Sequence, residues 1–328
     1  MAADGVRVLS ATDVLDSSFG LEQKTPVWID IEQPDADEIE WLRSTFDIHP
    51  IALEDVARRH QRPKIDAYDN YYFVVVYAAF EHAGSGRRAG RLRTRELQFF
   101  WSKTSLVTIH SEPLKEIDDL VKRVQEGSLA PILTASGRSL RISDVTYWLI
   151  DSIVDGYFPV VDRLAEWTED VEEEMFSARR GTHTLRSIFS LKKDLFHLRK
   201  VLAPSREVIN VLLRREHDLF GDEFYPYFQD VYDHINRLID SLDTYRDLLS
   251  SGLDTYLSFV SNDVNQTVKR MTALTAILMV DALVAGIYGM NFVFMPELSW
   301  PLGYPFALGL MLVVTVTLIV LFRRLRWF

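Results

Sequence analysis

The pattern of apolar and polar positions changes character twice along the chain. Up to about residue 139, short apolar runs alternate with polar turns. "NYYFVVVYAAF" (Asn70 to Phe80), "ELQFFWS" (Glu96 to Ser102) and "SLVTIHS" (Ser105 to Ser111) are rich in β-branched and aromatic residues and predict strands. "DADEIEWLRSTF" (Asp35 to Phe46) has helical spacing, with Asp35 or Asp37 as its cap, and "HPIALEDVARRH" (His49 to His60) predicts a second short helix. "GSGRRAGR" (Gly84 to Arg91) predicts a loop between two strands. A small sheet flanked by helices follows from this set. Beyond Ser139 strand signals vanish, and long helical patterns run from Thr146 to Phe176 and from Thr184 to Arg214.

From Phe228 the spacing becomes regular. Phe228, Val231, Ile235, Leu238, Leu242, Tyr245, Leu249, Gly252, Tyr256 and Phe259 alternate steps of three and four, a heptad seam in which only Gly252 fails to be apolar. No proline separates Pro226 from Pro296, so one helix can run from about Tyr227 to Met290, roughly 95 Å at about 1.5 Å per residue. A helix of that kind acts as a stalk whose seam needs partners.

The last part is apolar. Met271 to Tyr288 holds one charge, Asp281, and Pro301 to Phe322 holds none. A spanning helix needs about 20 residues, and soluble core helices are rarely apolar all round for that length. Lys269 and Arg270 precede the first run, and Arg323, Arg324 and Arg326 follow the second. The connecting segment holds no basic residue and one acid, Glu297, so the positive-inside rule places both chain ends in the cytoplasm and the short loop outside. Trp300, Tyr304, Trp327 and Phe328 stand where interfacial aromatics belong.

Composition narrows the functions available. The formal charge of −11 disfavours general nucleic-acid binding. With no cysteine there is neither a disulfide nor a thiolate metal site. "MAADGVRVLSATDV" lacks the apolar run of a secretory signal. The motifs GxxxxGK[ST], HExxH, GxSxG and GxGxxG do not occur, and the histidines are scattered singly, so no enzyme is expected and no organic cofactor. Asp233, Asp240, Asp247 and Asp254 repeat every seven residues, either as a solvated face or as a stripe attracting cations toward another subunit. "TEDVEEEM" (Thr168 to Met175) carries the same two readings, and "RRHQRPK" (Arg58 to Lys64) is expected to be an ion-pair hub.

Two helices per subunit cannot enclose a pore, but a ring of subunits can. Such a ring brings one Asn291 from each subunit to the axis, where Gly289 lets the first span stop. Asn291 taken alone is equally a helix cap. In a ring, neutral side-chain carbonyls accept hydrogen bonds from the water around a cation, and Mg²⁺ keeps several of its waters when bound. Charged carboxylates there would slow release, whereas Glu297 outside would raise the local cation concentration.

"YGMNF" (Tyr288 to Phe292), "MPEL" (Met295 to Leu298), "GYP" (Gly303 to Pro305) and the tail "RRLRWF" together resemble the CorA family of magnesium channels. The resemblance extends upstream through "SNDVNQTVKRMT", "PYFQDVYDH" and "LEDVARRHQRPK". It implies an α+β cytosolic domain, an α/β/α sandwich, followed by a very long stalk helix and two C-terminal transmembrane helices, assembled as a homopentamer. It implies passive uptake of Mg²⁺ across the cytoplasmic membrane, with Co²⁺ and Ni²⁺ also carried, and closure by intracellular Mg²⁺ bound between subunits. The corresponding segments are a cytosolic domain over 1–225, the stalk over 226–270, a pore-lining span over 271–290, an external loop over 291–303, a second span over 304–322 and a basic tail over 323–328. Carried over by position, Gly289, Met290 and Asn291 form the selectivity filter, Asn265 and Met279 line the pore, and Asp230 binds regulatory Mg²⁺, with Glu81 or His82 as the nearest candidate partner.

Asp281 departs from the family pattern. An ionised carboxylate at mid-helix costs about 2.5–3.5 kcal/mol on insertion scales. It lies two residues, about 200°, from Met279 and so faces away from the pore. It is either a protonated carboxyl bonded to a neighbouring helix, through Thr315 or Thr317, or a titrating group that tunes gating or couples protons. Two alternatives to a Mg²⁺ channel stay open: a zinc transporter of the same superfamily, proton-linked or not, and a membrane-anchored divalent-ion sensor that does not conduct.

Overall fold

The computed structural model describes residues 26–58, 60–81, 92–129, 140–177, 181–214, 220–291 and 295–327. They form two compact units, one closing at Ser250 and one opening at Ser251. The expected loop "GSGRRAGR", His82 and Phe328 lie outside the described residues.

The first unit is built on a sheet of strands β1 (Val27–Glu32), β2 (Lys64–Ala67), β3 (Tyr72–Glu81), β4 (Leu92–Trp101) and β5 (Ser105–His110), in the order β1-β5-β4-β3-β2. β1 pairs parallel with β5, and the other neighbours are antiparallel. Side chains alternate between the two faces. Phe73, Val75, Phe100, Val107 and Ile109 face helices α1 (Ala36–Phe46) and α2 (Pro50–Ala57), sharing a core with Leu42, Phe46, Ala52 and Leu53. Asp35 is the cap of α1: its Oδ1 accepts from the Glu38 amide at 2.8 Å, and Glu38 Oε2 accepts from the Asp35 amide at 3.0 Å. On the opposite face Trp101 stacks on Phe220 at 5.3 Å, and the Tyr157 hydroxyl donates to the Tyr77 carbonyl at 2.7 Å. Helices therefore cover both faces, as the expected sandwich requires.

The strands and helices beyond those expected are β1, β2 and α3 (Lys115–Gln125). β2 begins inside the basic cluster: Lys64 Nζ reaches Asp55 at 2.6 Å and Asp66 at 2.5 Å, and Arg58 meets Glu54 at 2.6 Å. That cluster is an ion-pair hub at the sheet edge. The helical pattern from Thr146 to Phe176 divides into α4 (Ile142–Asp155) and α5 (Tyr157–Phe176). Gly156 separates them, where a Cβ would press to 3.3 Å from the Ile153 carbonyl oxygen and 3.4 Å from Glu116 of α3. Helix α6 (Thr182–Leu213) follows and carries Pro204 in its interior.

Helix α7 runs unbroken from Tyr225 to Tyr288, the continuity that the proline-free stretch predicts. Its seam is not left open along its first half. Phe228, Val231, Ile235, Leu238, Leu242 and Leu249 are buried by the chain itself. Arg199 of α6 pairs with Asp243 at 2.7 Å, and Lys192 donates to Ser250 at 3.0 Å, tying α6 to that face. Burying each such apolar side chain is worth about 1.5–3 kcal/mol, so these positions stabilise the first unit without a second copy. In the second unit Tyr256 on the same seam is still buried, and Phe259 is 38% exposed. That unit holds the remainder of α7, a short 3₁₀ turn (Pro296–Ser299) and helix α8 (Gly303–Arg324). Both α7 and α8 contain a stretch long and apolar enough to cross a membrane.

Candidate functional site

Helix α7 unwinds at the triplet Gly289-Met290-Asn291. The Gly289 amide donates to the Ala285 carbonyl at 3.0 Å, and the Met290 amide to Ile287 at 3.2 Å, closing the last turn. Gly289 is not left-handed here; its role is close approach, because a Cβ would lie 3.2 Å from the Ala285 carbonyl oxygen. Asn291 does not adopt a left-handed cap conformation either. Its side chain is exposed and makes no hydrogen bond to another described residue, which leaves both its carbonyl and its amide free for solvent or an ion's waters. Glu297 stands exposed in the 3₁₀ turn beyond, and the Trp300 amide donates to its carbonyl at 3.4 Å. Gly303 opens α8 against that same carbonyl, where any Cβ would overlap the oxygen. The glycine of "GYP" thus fixes the return of the loop and the position of Glu297.

Asn265 and Met279 are both exposed on α7, fourteen residues apart and so within about 40° of each other around the helix. Asp281 turns the other way. Its Oδ2 accepts a hydrogen bond from the Thr315 hydroxyl of α8 at 2.8 Å, while Thr317 donates to its own helix at Val313. Of the two expected partners, Thr315 is the one that bonds the acid. Asp281 Oδ1 is buried and has no partner among the described residues.

A second constellation sits in the first unit. Asp151 and Asp155 on α4 and His234 on α7 bring one ligand atom each within 4.8 Å of one another. His234 Nδ1 is 3.5 Å from Asp155 Oδ1, and His234 Nε2 is 3.7 Å from Asp230 Oδ2. The ring of Phe158 meets the imidazole edge-on at 5.4 Å, and Nδ1 is buried without a hydrogen-bond partner among the described residues. Burial pushes the Asp151 carboxyl up to about 6, and the charges of Asp155 and Asp230 push the same way, with His234 pulling against them. Burial likewise raises the Tyr147 hydroxyl, and the charge of Asp151 pushes the same way. Carboxylates crowded in this way lose their mutual repulsion when a cation sits among them. The oxygens suit Mg²⁺, and the imidazole nitrogen suits Co²⁺, Ni²⁺ or Zn²⁺.

Of the sequence-derived residues, Asp230 lies at the rim of this cluster. Glu81 ends β3 opposite Leu92, and its side chain lies outside the described residues. Sequence reading missed Asp151, Asp155 and His234. The signal was present: Asp151/Asp155 and Asp230/His234 are both spaced i,i+4, which puts each pair of ligand-type side chains on one helical face.

Comparison with known proteins gives a concordant result. Residues 23–324 match the family model described as CorA-like Mg²⁺ transporter protein. The chain is 35% identical over 325 residues to the cobalt/magnesium transport protein CorA of Thermotoga maritima, covering 98% of this chain and 89% of that one. It is 27% identical over 302 residues to the protein of the same name from Methanocaldococcus jannaschii, covering 92% of this chain and 91% of that one. The complete structure of the CorA magnesium transporter from Methanocaldococcus jannaschii superposes with a TM-score of 0.80 at 26% identity, covering 95% of this chain and 94% of that one.

Proposed function

Because the chain belongs to the CorA-like Mg²⁺ transporter family, we propose that it is a channel for Mg²⁺ influx across the cytoplasmic membrane, with Co²⁺ and Ni²⁺ as further cargo. The observation that carries this reading is the exposed Asn291, without a side-chain partner among the described residues, directly beyond the end of an unbroken helix and between two spans. Five copies around an axis bring five Asn291 side chains together, with Gly289 and Met290 setting the backbone of the ring. Their carbonyls accept from the waters of a hydrated ion, so the ion enters without complete dehydration. Neutral oxygens bind weakly enough for it to leave. Asn265 and Met279 line the pore below, and Glu297 attracts cations at the outer mouth. Both termini are cytoplasmic, with the stalk over 226–270, the spans over 271–290 and 304–322, the loop over 291–303 and the tail over 323–328.

Regulation is assigned to Asp230 with Asp151, Asp155 and His234, which hold intracellular Mg²⁺ and close the channel. The imidazole gives one reason to keep a second cargo, Zn²⁺, in the test. The experiment is flux into proteoliposomes loaded with ion-sensitive dye, for Mg²⁺, Co²⁺ and Zn²⁺, with and without a proton gradient. Asn291→Ala is expected to reduce Mg²⁺ flux by at least about 100-fold, in line with the loss of all coordinating carbonyls at once, while the assembly elutes unchanged. Wild-type flux in this variant would refute the ring. A wild-type protein that carries only Zn²⁺, or nothing, would favour the zinc transporter or the sensor.

A further inference from the structure

We infer that the basic ends of the two spans form a binding surface for anionic phospholipid headgroups, built from Lys269 and Arg270 on α7 and Arg323, Arg324 and Arg326 at the end of α8. The Asp281–Thr315 hydrogen bond sets the level of the two helices against each other. Consecutive spans cross the bilayer in opposite directions, so counting away from that bond gives depth. Arg323 and Arg324 lie eight and nine residues beyond Thr315, and Arg270 and Lys269 lie eleven and twelve before Asp281. At about 1.5 Å per residue all four come roughly 12–18 Å from the bond, and half the hydrocarbon core is about 15 Å. The cations of both helices therefore converge on one headgroup layer. All five are exposed, and none makes an ion pair with an acid among the described residues.

The end of α8 is shaped rather than frayed. The Arg326 amide donates to the Arg323 carbonyl at 3.1 Å, and the Trp327 amide to the Phe322 carbonyl at 2.9 Å. Arg326 itself is left-handed, with φ of 56°. This is a Schellman closure, and its left-handed position is normally filled by glycine, which adopts it without strain. Here an arginine takes it, so the strain is accepted where a charge is gained. The closure folds Trp327 back to stack on Phe322 at 5.2 Å. Arg323, Arg324 and Arg326 lie in sequence between the two stacked rings and are exposed, so the end of α8 offers phosphate-binding forks beside an apolar anchor. Several basic residues at a membrane face attract anionic lipid, each adding to the attraction.

The test uses the full-length protein in nanodiscs of equal parts phosphatidylglycerol and phosphatidylcholine, with retained lipids counted by native mass spectrometry. Wild type is expected to retain phosphatidylglycerol with at least about twofold enrichment over the bulk. The triple variant Arg323→Gln, Arg324→Gln, Arg326→Gln should lose the enrichment, and the triple Arg→Lys variant should keep most of it. No enrichment in wild type, or full enrichment in the Gln variant, overturns the proposal. Should the Gln variant fail to assemble, wild type alone decides: enrichment must fall as salt rises from about 0.1 M to 1 M, where the Debye length drops from about 10 Å to 3 Å. Enrichment indifferent to salt overturns it. Excess inorganic phosphate should leave the enrichment in place; displacement by phosphate would make the site one for free anions and overturn the assignment to lipid.

Discussion

Glu297 has no acid–base partner among the described residues and is exposed in the 3₁₀ turn, so the influence proposed for it on a passing cation is long-range. Glu297→Gln is expected to lower Mg²⁺ flux several-fold near 0.01 M ionic strength, where the Debye length is about 30 Å, and little near 0.15 M, where it is about 8 Å. Flux in proteoliposomes at the two strengths measures this, and an equal loss at both would mean a structural role. Asp281 behaves oppositely, through contact. Removing its donor by Thr315→Val leaves a carboxyl in the bilayer with no bond and should cost about 0.6–1.7 kcal/mol, the range for interhelical hydrogen bonds in membranes. Asp281→Leu removes the acid together with its burial cost and should be neutral or stabilising, although it deletes the same bond. Thermal unfolding of both variants in detergent reads the difference in sign. If Asp281→Leu is the more damaging, the unpartnered Oδ1 has a donor in a neighbouring copy.

Helix α7 carries two kinds of surface along one seam. Leu242 is 1% exposed in the first unit, so Leu242→Ala should destabilise that unit by about 2–5 kcal/mol, a transfer loss plus a cavity. Hydrogen exchange in α4 and α6 would rise together with it; an unaffected pattern would show that the seam contributes little. The heptad spacing of this helix was legible because it has no proline and few interruptions, and the two spans were legible because lipid-facing helices are apolar on every side. The partner of the seam was not. Periodicity says that a face is buried but not by what, and here α6 supplies the cover over Asp243 and Ser250. β1 was missed because "VWIDIE" places Asp30 and Glu32 on its open face, and acids are depleted in strands. β2 is four residues long and hidden in a charge cluster. α3, "KEIDDLVKRVQ", buries only Ile117 and Leu120, too few apolar positions to stand out. Asn291 and Glu297 could be named from position in a linear motif, and Asp281 as the one charge in an apolar run. The cluster around His234 was legible only as two separate i,i+4 pairs, since α4 and α7 are brought together only by folding.

In the whole molecule that cluster is proposed to join cation concentration to the state of a channel. Without a cation, Asp151 is a carboxyl held up to about 6 by burial and by its acidic neighbours. Its folded value exceeds its unfolded value near 3.8, so the folded form is favoured at low pH. That advantage is lost as pH rises from about 4 through 6, and above 6 the ionised, crowded carboxylates oppose folding. A divalent ion bound there reverses the penalty, so Mg²⁺ should protect the first unit against protease far more at pH 7.5 than at pH 5. A ligand shifts an equilibrium only by its preference for one state, and the proposed preference is for the closed form. Asp151→Asn should therefore stabilise the ion-free protein at pH 7.5 while weakening protection by Mg²⁺. Asp230→Asn should weaken protection with a smaller gain of the same sign, since its charge also pushes Asp151 up, and His234→Ala should weaken protection with no gain. Both variants should need about tenfold more internal Mg²⁺ to close, the effect of losing about 1.4 kcal/mol of differential binding. Protease half-life against Mg²⁺ concentration, paired with flux at the same concentrations, measures both quantities. Protection curves that stay at wild type in all three variants would move the closing ion away from this cluster. The heptad-spaced Asp233, Asp240, Asp247 and Asp254 would be next, of which Asp233 accepts from Gln229 at 3.1 Å and Asp247 is engaged by Arg246 at 2.9 Å, leaving Asp240 and Asp254 as the exposed acids to substitute first.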